Sequence, residues 1–340
     1  MPGPDAGRGR RRGLFGGILT GILVREDVMA RHRGRVVGAM IAVAAVMAAT
    51  ACGSAGGSGP SPGIPVVMPS SGTATVTIGG RPVTVHVPDS YDPARPAPLV
   101  VALHGYTSDA AELETYLRLT PESQRQGFVY AYPDGSTDDH GDRFWNATDA
   151  CCDLFGAKPD DSGYLSALIS SIQSTYRIDR GRVYLIGHSN GAFMAFRMAC
   201  DHAGQITAIV AVNGAGWNDP ARCRPSEPVS VLAIHSTDDE SIAFAGGAID
   251  GVTYPSAAAT VTQWLGYDRC VAEGRDAPGL DLVTDLPAAE TSVRTYQQGC
   301  AGGSSVQAWT INGGTHVPRL GPAFAPAVTG FLLARSKPAR

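Results

Sequence analysis

Hydrophobic positions along this chain come in two alternating kinds. Short unbroken apolar runs are PLVVALHG (98–105), GFVYAYPDG (127–135), RVYLIG (182–187), ITAIVAVNG (206–214), VSVLAIHS (229–236) and SVQAWTING (305–313). Between them lie segments whose apolar residues recur every three or four positions, at 109–119, 162–176, 191–202 and 256–265. Runs without internal alternation suit strands buried on both faces, as in a parallel sheet covered by helices. Ahead of them, TATVTIGGRPVTVHVP alternates apolar and polar residues around Gly79-Gly80, which predicts an antiparallel hairpin. A hairpin followed by repeated strand–helix units predicts one α/β domain over 73–340, with its chemistry beyond the carboxyl ends of the strands. No period of 20–50 residues recurs, which argues against a solenoid.

Composition changes this picture mainly at the N-terminus. With 340 residues, 44% of them apolar, the chain can bury one large α/β core. Eight arginines precede position 36, against Asp5, Glu26 and Asp27; the remainder carries 19 basic and 28 acidic residues. That acidic remainder offers no surface for nucleic acid. MARHRGRVVGAMIAVAAVMAATACGS (29–54) has a basic start, an apolar core and small residues before Cys52. This is the layout of a signal peptide beginning at Met29, and ATAC is similar to a lipobox whose cysteine is lipidated. An uncleaved membrane anchor is the rival reading, although the apolar core is short for a spanning helix. Either way residues 1–51 are a targeting segment that exports the domain, secreted or tethered through Cys52. Residues 52–72, rich in Gly, Ser and Pro, read as a flexible tether.

Six further cysteines in an exported domain point to disulfides. Proximity pairs Cys200 with Cys223 and Cys270 with Cys300, leaving Cys151 and Cys152 to each other. Adjacent trans residues sit about 3.8 Å apart, so that last bridge is expected to be strained. Metal-ligand spacing is lacking around the Cys151-Cys152 pair.

Candidate chemistry centres on VYLIGHSNGAFMAFRMAC (183–200), where Ser189 stands between a predicted strand and a predicted helix. That context makes G-x-S-x-G a credible nucleophile turn. A serine hydroxyl needs a base, and the chain order on such a sheet is Ser, acid, His. Of eight histidines, His316 in NGGTHVP alone follows a suitable acid. The acid comes from IHSTDDESI, where position leaves Asp238, Asp239 and Glu240 open. The amides of Asn190 and Tyr106 are the expected oxyanion donors, with His104 orienting the Tyr106 loop. Asp160 and Asp161 precede a predicted helix, where at least one is expected to cap it.

LHGYTSDA, YPDG, WNATDACC, GHSNGAFMAFRMAC, HSTDDESIAFAGG and NGGTHVPR together resemble the exported polyhydroxybutyrate depolymerase and feruloyl esterase family, nearest its actinobacterial lipoproteins. The resemblance runs from about residue 75 to the C-terminus. It implies an α/β-hydrolase fold, hydrolysis of carboxylic esters, no metal and no cofactor. It also selects Asp239 as the acid and makes Trp145 a candidate substrate contact, with plain loop packing as the alternative. Ser236 replaces a usual glycine, Ile242-Ala243-Phe244 replaces Val-Pro-Tyr, and Val317 stands where tryptophan is common. Two other functions fit the sequence: an acyltransferase on the same scaffold, and a non-catalytic lipoprotein that binds the cell envelope.

Overall fold

Strand β1 (Gly72–Ile78) opens the ordered architecture of a computed structural model that describes residues 70–287 and 289–338. The expected leader, the lipidation candidate Cys52 and most of the tether lie outside the described residues. β1 pairs with β2 (Arg81–Val87) across the Gly79-Gly80 turn, as the alternation predicts. Then follow β3 (Ala97–Leu103), α1 (Ala110–Leu117), α2 (Leu119–Gln126) and β4 (Val129–Pro133). A small ladder, β5 (Ser136–Thr137) and β6 (Arg143–Phe144), precedes α3 (Asp161–Thr175), β7 (Ile178–His188), α4 (Asn190–Asp201), β8 (Ala208–Val212) and β9 (Ser230–Ser236). A second small ladder, β10 (Gly247–Ile249) and β11 (Val252–Tyr254), leads to α5 (Ala257–Tyr267). The chain continues through β12 (Arg275–Leu280), β13 (Thr291–Tyr296), β14 (Val306–Ile311) and α6 (Phe324–Leu333).

Ten strands form one sheet in the order β1-β2-β4-β3-β7-β8-β9-β14-β13-β12. The six from β4 to β14 run parallel, and an antiparallel pair closes each edge. Alternation along β3 divides the core in two. Leu99, Val101 and Leu103 join the apolar layer under α3, α4 and α5; Val100 and Ala102 join that under α1, α2 and α6. Both layers are buried, which is why the strands read as continuous apolar runs. This is the mostly parallel, doubly covered sheet expected from the α/β pattern.

Three local outcomes differ from the sequence reading. The helix expected over 109–119 closes at Leu117, where Arg118 takes the left-handed conformation (φ 55°) and α2 starts immediately after it. Strands β12 and β13 escaped notice because β12 is exposed at five of six positions and carries no apolar run. Helix α6 contains Pro326 and Gly330, which obscure its period, although Pro326 lies in the first turn, where its missing N–H costs little. All three expected cysteine pairs form. The Cys151–Cys152 peptide is cis, which brings the two Cα atoms to 3.0 Å rather than the trans spacing used in the expectation. Among the described residues no helix is long and apolar enough to cross a membrane.

Asp268 closes α5 and is fully buried, accepting a hydrogen bond from the Val229 amide at 3.2 Å. Burial pushes its carboxyl up to about 6, only partly offset by Ser304, the Val229 amide and the Lys337 charge. A folded value above the unfolded 3.8 means that stability falls as pH rises from about 4 to about 6, and the loss persists above that. Asp268→Asn keeps an acceptor for Val229, so it should raise Tm at pH 8 and leave it unchanged at pH 4. Equal shifts at both pH values would contradict this assignment.

Candidate active site

Strand β7 ends in Gly187-His188 and helix α4 begins at Asn190, leaving Ser189 alone in the turn. A Cβ on Gly187 would lie 2.1 Å from the Gly191 oxygen, and one on Gly191 would lie 2.0 Å from the Leu103 oxygen. Only glycine permits this approach. The turn holds Ser189 at φ 55° and ψ −121°, and its amide donates to the Val212 oxygen at 2.9 Å. Such backbone conformations persist where the surrounding structure fixes them, typically at functional sites.

The structure brings Ser189, His316 and Asp239 together. Nδ1 of His316 stands 2.9 Å from both carboxylate oxygens of Asp239, so that nitrogen carries the proton. Nε2 is then the acceptor, and the Ser189 hydroxyl donates to it at 2.9 Å. Asp239 also accepts from the amides of Ile242 (2.7 Å) and Ser241 (2.9 Å). Burial would raise its carboxyl, but the His316 hydrogen bond and these two amides outweigh that and hold it below the usual value. Of the three acids left open by position, Asp239 is the one on the imidazole. Asp238 accepts from the Thr237 hydroxyl, and Glu240 accepts from the His316 amide at 3.2 Å. His235 supports the acid's loop: Nε2 donates to the Ile242 oxygen at 2.7 Å and stands 3.6 Å from Asp239.

The loop after β3 carries the other expected amide. Gly105 lies against Ser189, since a Cβ there would meet the Ser189 Cβ at 3.4 Å. His104 Nδ1 donates to the Gly105 oxygen (2.7 Å), and its Nε2 accepts from the Gly135 amide (2.9 Å). The Thr107 amide donates to Arg143, and the Tyr106 hydroxyl donates to Asp138 at 3.1 Å. This anchoring fixes where the Tyr106 amide can point. The Asn190 amide is the first of α4, so it has no intrahelical acceptor.

Of the two readings of Trp145, the structure favours loop packing over substrate contact. Its side chain is fully buried. The indole N–H donates to the His104 oxygen at 3.2 Å, and its backbone pairs both ways with the Asn190 side chain (2.7 and 2.9 Å). It therefore ties the two amide-bearing loops together. Asp160 caps α3, accepting from the Gly163 amide at 2.8 Å, while Asp161 is buried in an ion pair with Arg81.

Ser189 and His316 open on a cleft of about 320 Å³, walled by Tyr106, Glu112, Leu113, Tyr116 and His188, with Val317 59% exposed at its edge. Sequence reasoning missed His188 and Asn213 as parts of this site, and weighed Glu240 only as the acid. They hold the backbone of His316 from three separate segments, a role that the motifs around them do not announce. Among the described residues no cluster of metal-ligating side chains occurs.

The sheet, its two helical layers and this site make an α/β-hydrolase fold. The chain belongs to the Esterase PHB depolymerase family, whose family model matches residues 86–277, and it is a carboxylic ester hydrolase. It is 28% identical to "Putative esterase NocK" of Nocardia uniformis subsp. tsuyamanensis, over 78% of this chain and 79% of that protein. It is 26% identical to "Feruloyl esterase B" of Piromyces equi, over 69% of this chain, and spans only 42% of that longer protein. "Feruloyl esterase D" of Neurospora crassa is 25% identical over 76% of this chain and 85% of its own length. In fold, the acetyl xylan esterase from Aspergillus awamori is similar, with a TM-score of 0.54 at 14% identity, over 77% of this chain and 99% of that one.

Gly191→Ala should lower stability by about 1–3 kcal/mol, because the added methyl meets main-chain atoms that cannot yield. Denaturant unfolding measures it; an unchanged midpoint would contradict the close approach of β3, β7 and α4.

Proposed function

We propose that the protein is an exported serine esterase in which Ser189, His316 and Asp239 form the catalytic triad. The observation that carries this reading is the unbroken hydrogen-bond chain from Asp239 through both nitrogens of His316 to the Ser189 hydroxyl. Ser189 attacks the ester carbonyl as its proton passes to His316 Nε2. Asp239 holds the Nδ1–H tautomer and stabilises the imidazolium. The tetrahedral oxyanion is met by the Asn190 and Tyr106 amides, which exist before the charge develops. His316 returns the proton to the leaving alcohol, and a water activated by His316 then releases the acid and restores Ser189.

Feruloyl-type esters are the proposed substrates, with hydroxybutyrate polyesters as the competing class. Relatives named feruloyl esterases support the first, as do the Tyr106, Leu113 and Tyr116 side chains of the cleft. Val317 at the exposed edge leaves the mouth open to a bulky alcohol such as a polysaccharide. Export rests on the leader-like residues 1–51 and lipid tethering on Cys52, followed by the 52–72 tether and the 73–340 catalytic domain.

Hydrolysis of methyl ferulate beside 3-hydroxybutyrate oligomers, by the wild type and Ser189→Ala, tests both parts. Ser189→Ala should lower turnover by roughly 10⁴-fold or more on every substrate. Retained activity would overturn the triad; a preference for the oligomers would overturn the substrate class alone.

A further inference from the structure

Catalysis by His316 requires an imidazole fixed at both nitrogens, yet the residue sits in an irregular loop after β14 behind Gly313 and Gly314. No secondary-structure ladder holds it. Its main-chain oxygen instead accepts two side-chain hydrogen bonds, from Asn213 Nδ2 at 2.8 Å and from His188 Nε2 at 2.9 Å. A carbonyl oxygen has two lone pairs, so both are used. We propose that His188 and Asn213 are positioning residues for His316, acting together on its main-chain oxygen; the inference rests on the triad reading above.

Both donors stand on rigid ground. His188 ends β7 and pairs in register with Val212, the residue before Asn213, so the two side chains leave the ends of neighbouring parallel strands one residue apart. Asn213 is fully buried in the left-handed region (φ 51°). Its amide donates to the Ile234 oxygen, its Oδ1 accepts from the Ser236 amide at 2.8 Å, and its Nδ2 also reaches the Thr315 oxygen at 3.2 Å. His188 is 8% exposed, with Tyr116 and His316 ring centroids each 5.1 Å away. Burial pushes its imidazole down to about 4, so it stays neutral and its one N–H faces the carbonyl. The preceding peptide is held too, by Glu240 on the His316 amide. Losing either donor leaves a buried acceptor short of a partner and frees the loop to shift. Displacement by about 1 Å at a reacting group costs up to about a hundredfold in rate.

The test uses three substitutions in the whole chain, with kcat, KM and Tm measured on an activated aryl ester. Asn213→Asp keeps the left-handed backbone and the acceptor for Ser236 but sets a carboxylate against the His316 and Thr315 oxygens. His188→Leu removes the second donor, and His188→Gln restores an N–H at a similar reach. The expected result is a fall in kcat of about ten- to a hundredfold for Asn213→Asp and His188→Leu, with KM little changed. His188→Gln should recover most of the loss. Wild-type kcat in both donor-removing variants, a loss confined to KM, or a loss that His188→Gln does not recover would each overturn the proposal. If Asn213→Asp does not fold, the two His188 variants decide. Ser189→Ala separates the failures: inactivity there with wild-type kinetics elsewhere overturns only the positioning, whereas activity there overturns the triad and the positioning with it.

Discussion

The close approach of β3, β7 and the start of α4 governs what is built above it. Main-chain atoms of Gly187, Gly191 and Leu103 come together where no side chain fits. The chain must therefore turn within one residue, and that residue, Ser189, takes a backbone conformation it would not choose alone. What over-determines it is the burial of both layers: β3 and β7 are fixed by the parallel ladder, and α4 is apolar on nearly every side. A loose sheet could not hold this turn. The hydroxyl stands above the strand ends because the core beneath is closely packed.

Three loops must then meet at that hydroxyl, and each is held by a buried histidine that donates to a main-chain oxygen. His104 binds Gly105 in the loop of the expected oxyanion donor, His188 binds His316 itself, and His235 binds Ile242 in the loop of the acid. Burial lowers the pKa of all three, chiefly by disfavouring charge, so each serves as a neutral donor. These three histidines thus add no charge beside the Asp239 carboxylate. Trp145 and Asn190 complete the frame by joining the oxyanion loop to the nucleophile turn from the side.

The fold was legible because burial on both faces writes continuous apolar runs into the sequence, and six of those runs became the parallel strands. Ser189 and His316 were legible because a strand–glycine–helix junction and chain order constrain them. Asp239 was less so. Three adjacent acids share its loop, and only the resemblance singled it out, since the geometry depends on how Ser241 and Ile242 turn back on the carboxylate. The exposed β12 and the interrupted α6 carry too little apolar pattern to be seen. The resemblance made Trp145 a candidate contact, yet its bonds reach residues 41 and 45 positions away. Asn213 and His188 were invisible for the same reason: their partner lies more than 100 positions along the chain.

The most direct test of the central claim, that this geometry makes Ser189 a nucleophile, is to catch the covalent intermediate. An activated acetyl ester is mixed with the protein, the reaction is stopped in acid within the first turnover, and the digested peptides are mapped by mass. The account predicts one acetyl group, on Ser189 in the 183–197 peptide, released on continued incubation in buffer. Acetylation of another residue, or turnover with no acyl-enzyme at Ser189, would contradict it.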